Sequence, residues 1–244
     1  MKNRIKYLLI VILSLSIANA RAGSLTVVHE DYAAAVAAAK AENKLLLIDF
    51  YTTWCGPCKV LSKQLLDNEQ YSEAIGQHFV LLKYDAEKDT AFHLSKKYHI
   101  NSYPTGIVLN ADGRLIAKKR GVSTAEGNVD IINYMAFLND AVQNQRNEAY
   151  IAGVSTKIDM NYPKFYAEYI NRTAKYNKEA IEEYWNTLSK DDYMKEVPFA
   201  ILSYFGAMGP IEEYFTSHMD DYKKLYGEDD VKEVCYKIVS TGFR

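Results

Sequence analysis

The feature that most limits what this chain can become is an uninterrupted apolar run ending in two cysteines separated by two residues. Leu45, Leu46, Leu47, Ile48, Asp49, Phe50 and Tyr51 read as a buried strand, and Trp54-Cys55-Gly56-Pro57-Cys58-Lys59 follows directly. Pro57 presets the backbone for the first turn of a helix, so the strand gives way to a helix that starts through the cysteines. Cys55 then stands at the helix N-terminus, where unpaired N–H groups and the positive end of the dipole favour a thiolate. It is expected to be the exposed, attacking sulfur, with a pKa below the free-thiol value of roughly 8.5. Cys58, one turn further in, is expected to be the shielded, resolving thiol. Zinc sites use the same spacing but need further ligands, and no second Cys or His pair follows at finger-like spacing.

Trp54 before the pair and Gly56-Pro57 within it make this stretch resemble the thioredoxin family. The resemblance covers roughly residues 25–142 and implies an α/β thioredoxin fold, a mixed central sheet flanked by helices. The sequence pattern has a matching order. Leu25-Thr26-Val27-Val28 reads as a short strand, and Asp31 caps an alanine-rich helix to about Ala41. After the strand Leu45–Tyr51 and the cysteine helix, which bends near Asp67-Asn68, Phe79 to Tyr84 forms a second strong strand and Thr90 to Tyr98 a helix. Ala111-Asp112-Gly113-Arg114 turns a hairpin between two strand-like runs, and a helix follows from about Val129 to Ala149.

Thiol–disulfide exchange needs a nucleophilic thiolate, a second thiol in reach and a proton path for that second thiol. Asp49 lies in an otherwise apolar strand six residues before Cys55, and burying a carboxylate there raises its pKa. That suits a proton acceptor for Cys58, the role the resemblance also implies for an acid here. On the resemblance Lys83 is the acid's partner; as sequence alone it reads equally as a surface lysine. Tyr103-Pro104-Thr105 matches the family's cis-proline loop, which faces the cysteines and lets the Tyr103 backbone pair with an extended substrate segment. An ordinary trans turn is the alternative. Gly121 matches a glycine that leaves the substrate groove open. The resemblance thus places Cys55, Cys58, Asp49 and Lys83 in catalysis and Trp54, Gly56, Pro57, Tyr103, Pro104, Thr105 and Gly121 in substrate binding. His29, His78, His93, His99 and His218 show no metal-like spacing and there is no Gly-rich phosphate loop, so neither metal nor cofactor is expected.

Residues 1–22 have the pattern of a cleaved secretory signal: Lys2, Arg4 and Lys6, an apolar stretch from Tyr7 to Ile17, then small residues at Ala18, Ala20 and Ala22. The apolar stretch is shorter than the roughly 20 residues that span a bilayer. A periplasmic or secreted setting follows, where disulfides persist. The formal net charge is −2, and four of the basic residues fall in this leader, so the body is mildly acidic and nucleic acid is not an expected partner.

The thioredoxin-like part is expected over residues 23–143 and a small all-helical domain of about five helices over 144–244. There Tyr162, Phe165, Tyr166, Tyr169, Tyr176, Tyr184, Trp185 and Tyr193 recur at mostly helical spacing, as a packed core or as a ligand groove. Cys235 sits on an apolar helical face as a small hydrophobe. The whole reads as an extracytoplasmic oxidoreductase that reduces protein disulfides, since Gly-Pro between the cysteines resembles the reducing thioredoxins, with a membrane-embedded thiol carrier implied as electron donor. A disulfide oxidase or isomerase, or a client-binding chaperone-like module, is the alternative.

Overall fold

A computed structural model describes residues 24–242; the leader lies outside the described residues. The elements are β1 (Thr26–His29), α1 (Tyr32–Glu42), β2 (Leu45–Tyr51), α2 (Gly56–Leu61), α3 (Glu69–Gly76), β3 (Phe79–Asp85), α4 (Leu94–Lys97), β4 (Thr105–Leu109), β5 (Leu115–Arg120), the two-residue strands β6 (Thr124–Ala125) and β7 (Asn128–Val129), and α5 (Ile131–Arg146). Six more helices follow: α6 (Lys164–Ile170), α7 (Lys178–Thr187), α8 (Glu196–Phe205), α9 (Pro210–Ser217), α10 (Met219–Tyr226) and α11 (Glu228–Gly242).

The main sheet has the order β1-β3-β2-β4-β5, with β1, β3 and β2 parallel and β4 and β5 antiparallel. Its parallel part arises because β1 to β2 and β2 to β3 are joined through helices, whereas β4 and β5 form a hairpin. The cap expected at Asp31 is in place, and two more are found. Asp31 accepts the Ala34 N–H at the start of α1, Asn68 accepts from Gln70 at α3, and Asp130 accepts from Asn133 at α5. Beyond α2 the helix widens into a π turn over Ser62–Leu66 and stops at Asp67, whose N–H reaches back to the Ser62 carbonyl at 2.7 Å.

The fourth helix is shorter than the pattern over Thr90 to Tyr98 suggests. The Asp89 side chain takes both the Tyr84 hydroxyl and the Ser95 N–H, each at 2.6 Å, and His93 is left-handed at φ 53°, so helical geometry begins only at Leu94.

Every residue of β2 up to Phe50 is buried, because both faces of the sheet are covered. Leu45 and Leu47 face α2 and α5, packing with Leu61, Leu65, Tyr134 and Leu138. Leu46, Ile48 and Phe50 face the other way. There the core holds Ala35 and Ala39 of α1 and Leu94 and Tyr98 around α4, and it runs without a break into Tyr166, Trp185, Phe199 and Tyr222 of the later helices. Most of the aromatic stripe is therefore core, with Tyr176 left half exposed. Trp185 is fully buried, Phe199 stacks on Tyr226 at 3.6 Å, and the hydroxyls of Tyr222 and Tyr226 donate to the carbonyls of Tyr193 and Met194. Cys235 is half-buried with its sulfur 3.6 Å from that of Met219. Among the described residues no helix is long and apolar enough to cross a membrane.

The helical extension is joined to the rest by buried charge as well as apolar surface. Asp230 of α11 receives Lys118 at 3.0 Å and Arg120 at 2.7 Å, both from β5, and faces His99 at 3.7 Å. Lys97, fully buried at the end of α4, bonds to Glu196 of α8 and to Ser155. Burial pushes Asp230 upward, but Lys118, Arg120 and His99 outweigh it and hold the carboxyl well below the usual range.

Candidate redox site

Cys55 and Cys58 are joined by a disulfide, with their Cα atoms 5.3 Å apart. Cys55 is the N-cap of α2, Gly56 and Pro57 form its first turn, and the Cys55 sulfur accepts the Cys58 backbone N–H at 3.1 Å. That N–H is one of the donors a helix start leaves unpaired, and in the reduced protein it would stabilise a thiolate. Cys55 is less open than its expected role as the exposed sulfur: it is 3% exposed, close to Cys58 at 4%. Its side chain turns inward to cap the helix and bond to Cys58, while Trp54, at 64%, and the flanking Gly56, Pro57 and Lys59 are exposed. Among the described residues no group of three His, Cys, Asp or Glu side chains is placed to hold a metal.

Asp49 shares the parity of Leu45 and Leu47, so it faces the layer containing α2, on which Cys58 and Leu61 are the buried positions. It is 1% exposed, and its Oδ1 has no hydrogen-bond partner. Burial raises its pKa to about 7, with the Lys83 charge lowering it and the Asp67 charge raising it. Lys83 lies directly across from Asp49 in the β2–β3 register. Its ammonium nevertheless bonds to Asp67 at 2.5 Å and the Ser62 hydroxyl at 3.1 Å, and acts on Asp49 through its charge. The π turn in the cysteine helix brings Ser62 and Asp67 together over Lys83, a step the sequence pattern does not reveal. Cys58, Thr52, Ser62, Asp67 and Lys83 line a cleft of about 570 Å³ behind the disulfide.

On the other side of Asp49 the strand partner is Gly106. A Cβ there would fall 2.6 Å from the Tyr134 hydroxyl, so glycine is required for α5 to pack Tyr134 against the sheet beside the acid. Tyr134 has no side-chain hydrogen bond either, and Asp49 contributes to raising its pKa after burial.

The Tyr103–Pro104 peptide is cis. Thr105 is fully buried and donates its hydroxyl to the Ser102 carbonyl at 2.8 Å. Gly121, at φ 66°, donates its N–H to the Pro104 carbonyl at 2.7 Å. A side chain at Gly121 would meet no atom within 4 Å, so glycine is favoured there by its left-handed backbone rather than by crowding. The Tyr103 ring meets Trp54 edge to face, centroids 6.0 Å apart, which brings the loop to the cysteine motif.

A cysteine pair capping a helix after the central strand, a buried acid behind it and a cis-proline loop beside it bring together the groups that thiol–disulfide exchange requires. A family model for a thioredoxin-like domain matches residues 32–136. Thioredoxin-1 of Saccharomyces cerevisiae is 36% identical over 86 residues, covering 35% of this chain and 76% of that protein. The protein disulfide-isomerase of Zea mays is 32% identical over 97 residues, covering 38% of this chain; the match spans 18% of that enzyme's length, as it does for the enzyme of Triticum aestivum. A solution structure of a candidate disulphide-isomerase from Bacteroides thetaiotaomicron shares 32% identity, covering 52% of this chain and 97% of that one with a TM-score of 0.40. The chain belongs to the thioredoxin family. Cys55 and Cys58, joined in a disulfide, lie within the matched residues.

Two residues outside the expected set pair across the chain: Glu87, on the loop after β3, is bridged at 2.7 Å by Arg172 of the helical extension. Neither stands in a recognisable motif, and their separation in the chain hides the pairing from any local pattern.

Proposed function

We propose that this protein reduces disulfides in protein substrates outside the cytoplasm and is itself re-reduced by a membrane-embedded thiol donor. In each turnover the Cys55 thiolate attacks one sulfur of the substrate disulfide, and the other sulfur leaves as a thiolate. Asp49 takes the proton of the Cys58 thiol, directly or through water, and the Cys58 thiolate then attacks the Cys55 sulfur. The substrate departs with two electrons gained, and the Cys55–Cys58 disulfide is the oxidised end of the cycle. The donor must supply two electrons and two protons to reopen it.

The buried, unpaired Asp49 on the layer that receives Cys58 is the observation that carries this mechanism: an acid with a pKa of about 7 can accept and return a proton near neutrality. The reducing direction rests on Gly56-Pro57, and the setting rests on the leader-like residues 1–22. The likeness to protein disulfide-isomerases supports an oxidase or isomerase as the competing direction.

Insulin reduction coupled to dithiothreitol tests the activity: the native chain should accelerate it and Cys55→Ser should abolish the acceleration. Equilibration of the pair against glutathione buffers tests the direction. A potential near the thioredoxin value of roughly −270 mV supports a reductase, whereas one near roughly −120 mV would assign the protein to the oxidases.

A further inference from the structure

The chain leaves α4 for the cis-proline loop at His99, a buried residue held left-handed at φ 54°. The loop ends at Thr105, the first residue of β4, which pairs with Arg120 at the end of β5. From there the Arg120 side chain reaches the limb that enters the loop. Its Nη1 donates to the His99 carbonyl at 3.3 Å and to the side-chain oxygen of Asn101. The rest of the guanidinium faces the helical extension. Nε and Nη2 donate to one oxygen of Asp230 in α11 at 3.1 and 2.7 Å, and Nη2 also reaches the Ser203 hydroxyl of α8 at 3.4 Å.

Every N–H of this guanidinium thus has an acceptor, and the side chain is nearly buried. A planar fork holds partners on different edges at fixed angles, which the compact ammonium of a lysine cannot do. The turn itself is tied to the same end of β5. Gly121, the next residue, donates its N–H to the Pro104 carbonyl at 2.7 Å. Tyr103 lies between the limb that Arg120 holds and the proline that Gly121 holds, with its ring against Trp54 of the cysteine motif. A series of hydrogen bonds therefore runs from Asp230 through Arg120 to His99 and Asn101, just ahead of Tyr103.

We propose that Arg120, locked by Asp230 of the helical extension, is a positioning residue of the redox site: it sets the place of the Tyr103–Pro104 backbone on which an extended, disulfide-bearing segment lies beside Cys55. This rests on the reading of protein disulfides as substrates. It gives the extension a part in substrate binding without its touching the reacting sulfurs.

The test uses the full chain and the variants Asn101→Ala, Arg120→Lys and Asp230→Asn. Asn101→Ala removes one acceptor of Arg120 and leaves its ion pair with Asp230 in place. Arg120→Lys keeps the charge and loses the fork, whereas Asp230→Asn keeps the shape and loses the charge. Insulin reduction coupled to dithiothreitol gives KM and kcat. Amide exchange followed by NMR compares the Gly121 N–H, which reports its bond to Pro104, with the N–H of Ile48 in the central strand, which reports general stability. All three variants should show a KM roughly threefold higher, with kcat altered by less than about twofold. Exchange at Gly121 should rise roughly fivefold relative to Ile48. A wild-type KM in Asn101→Ala would overturn the proposal, as would exchange at Gly121 that changes only in step with Ile48, the mark of a general loss of stability. A wild-type KM in Asp230→Asn would overturn the part given to the extension. Should either of the buried variants fail to fold, Asn101→Ala decides. If the native chain does not reduce insulin, the functional reading fails, and the exchange ratio alone decides whether Arg120 positions the loop.

Discussion

Replacing Asp49 by Asn should make the protein more stable, and by an amount that depends on pH in a defined way. The carboxyl has an ordinary pKa of 3.8 and one of about 7 in the fold, chiefly because burial penalises its ionised form. The unfolded chain therefore releases this proton at lower pH than the native one, so the group's contribution is fully present below pH 4 and is lost as pH rises towards 7. At 1.36 kcal/mol for each pH unit of separation, the ionised acid costs the native state about 4 kcal/mol at pH 8 and the partly linked system about 1.5 kcal/mol at pH 5. Asn keeps the shape and removes the titration. Urea unfolding of the oxidised proteins should then show Asp49→Asn ahead by almost nothing at pH 3, about 1.5 kcal/mol at pH 5 and about 4 kcal/mol at pH 8. The same variant should slow insulin reduction and lack the rate rise through pH 7 expected of the wild type. A stability difference that stays constant across these pH values would refute the claim that a buried, proton-holding carboxyl sits at this position.

Two further outcomes follow from the way the extension is attached. Because the core is continuous from the sheet into α6–α11, unfolding followed by far-UV circular dichroism and by Trp185 fluorescence should coincide, and a chain ended after Gln143 should melt lower than the full chain or aggregate; two separated transitions would mean the regions fold independently. Asp230→Ala leaves Lys118 and Arg120 buried without their anion and should destabilise by about 3–5 kcal/mol, or roughly 10 °C in melting temperature, measured by calorimetry at pH 7. Since the carboxyl's folded pKa is depressed, this contribution is present above about pH 4 and fades as the solution becomes more acid, so wild type and variant should converge at low pH. A variant that melts with the wild type at pH 7 would contradict the buried network.

The parts of the site that sequence reveals are those set by short-range pattern. A run of apolar residues covered on both faces makes β2, Pro57 starts the helix after it, and a lone acid in that run has nowhere to go but the core, which is why Asp49 could be singled out before any coordinates. The start of α4 differs from the periodic pattern because a side chain, Asp89, takes a backbone N–H and a hydroxyl donor that helical periodicity does not register. The resemblance offers Lys83 as the partner of Asp49 and the two stand opposite in the β2–β3 register, but its ammonium is drawn to Asp67 by a π turn that no spacing rule anticipates. The bridges Arg172–Glu87 and Asp230–Lys118 join residues 85 and 112 positions apart, and single charged residues at such separations carry no mark of their partners.

The same long-range charges tie the extension to the loop beside the disulfide. The thioredoxin-like part contributes the cations Lys97, Lys118 and Arg120, and the extension contributes the anions Glu196 and Asp230. Burying such pairs adds little net stability compared with apolar packing, but each cation accepts only a matching anion, which fixes where the extension can sit. Where it sits is significant. Arg120 also donates to the His99 carbonyl and to Asn101, and Lys118 donates to the Tyr98 carbonyl, so the side chains that grip Asp230 also grip the segment leading into the cis-proline loop. Immediately after Arg120, Gly121 ties the Pro104 carbonyl from the far side. The loop beside the disulfide is therefore held by the same β5 residues that anchor α11. An extension that moved relative to the sheet would disturb the cis-proline loop, which is a physical reason for locking it with buried charge.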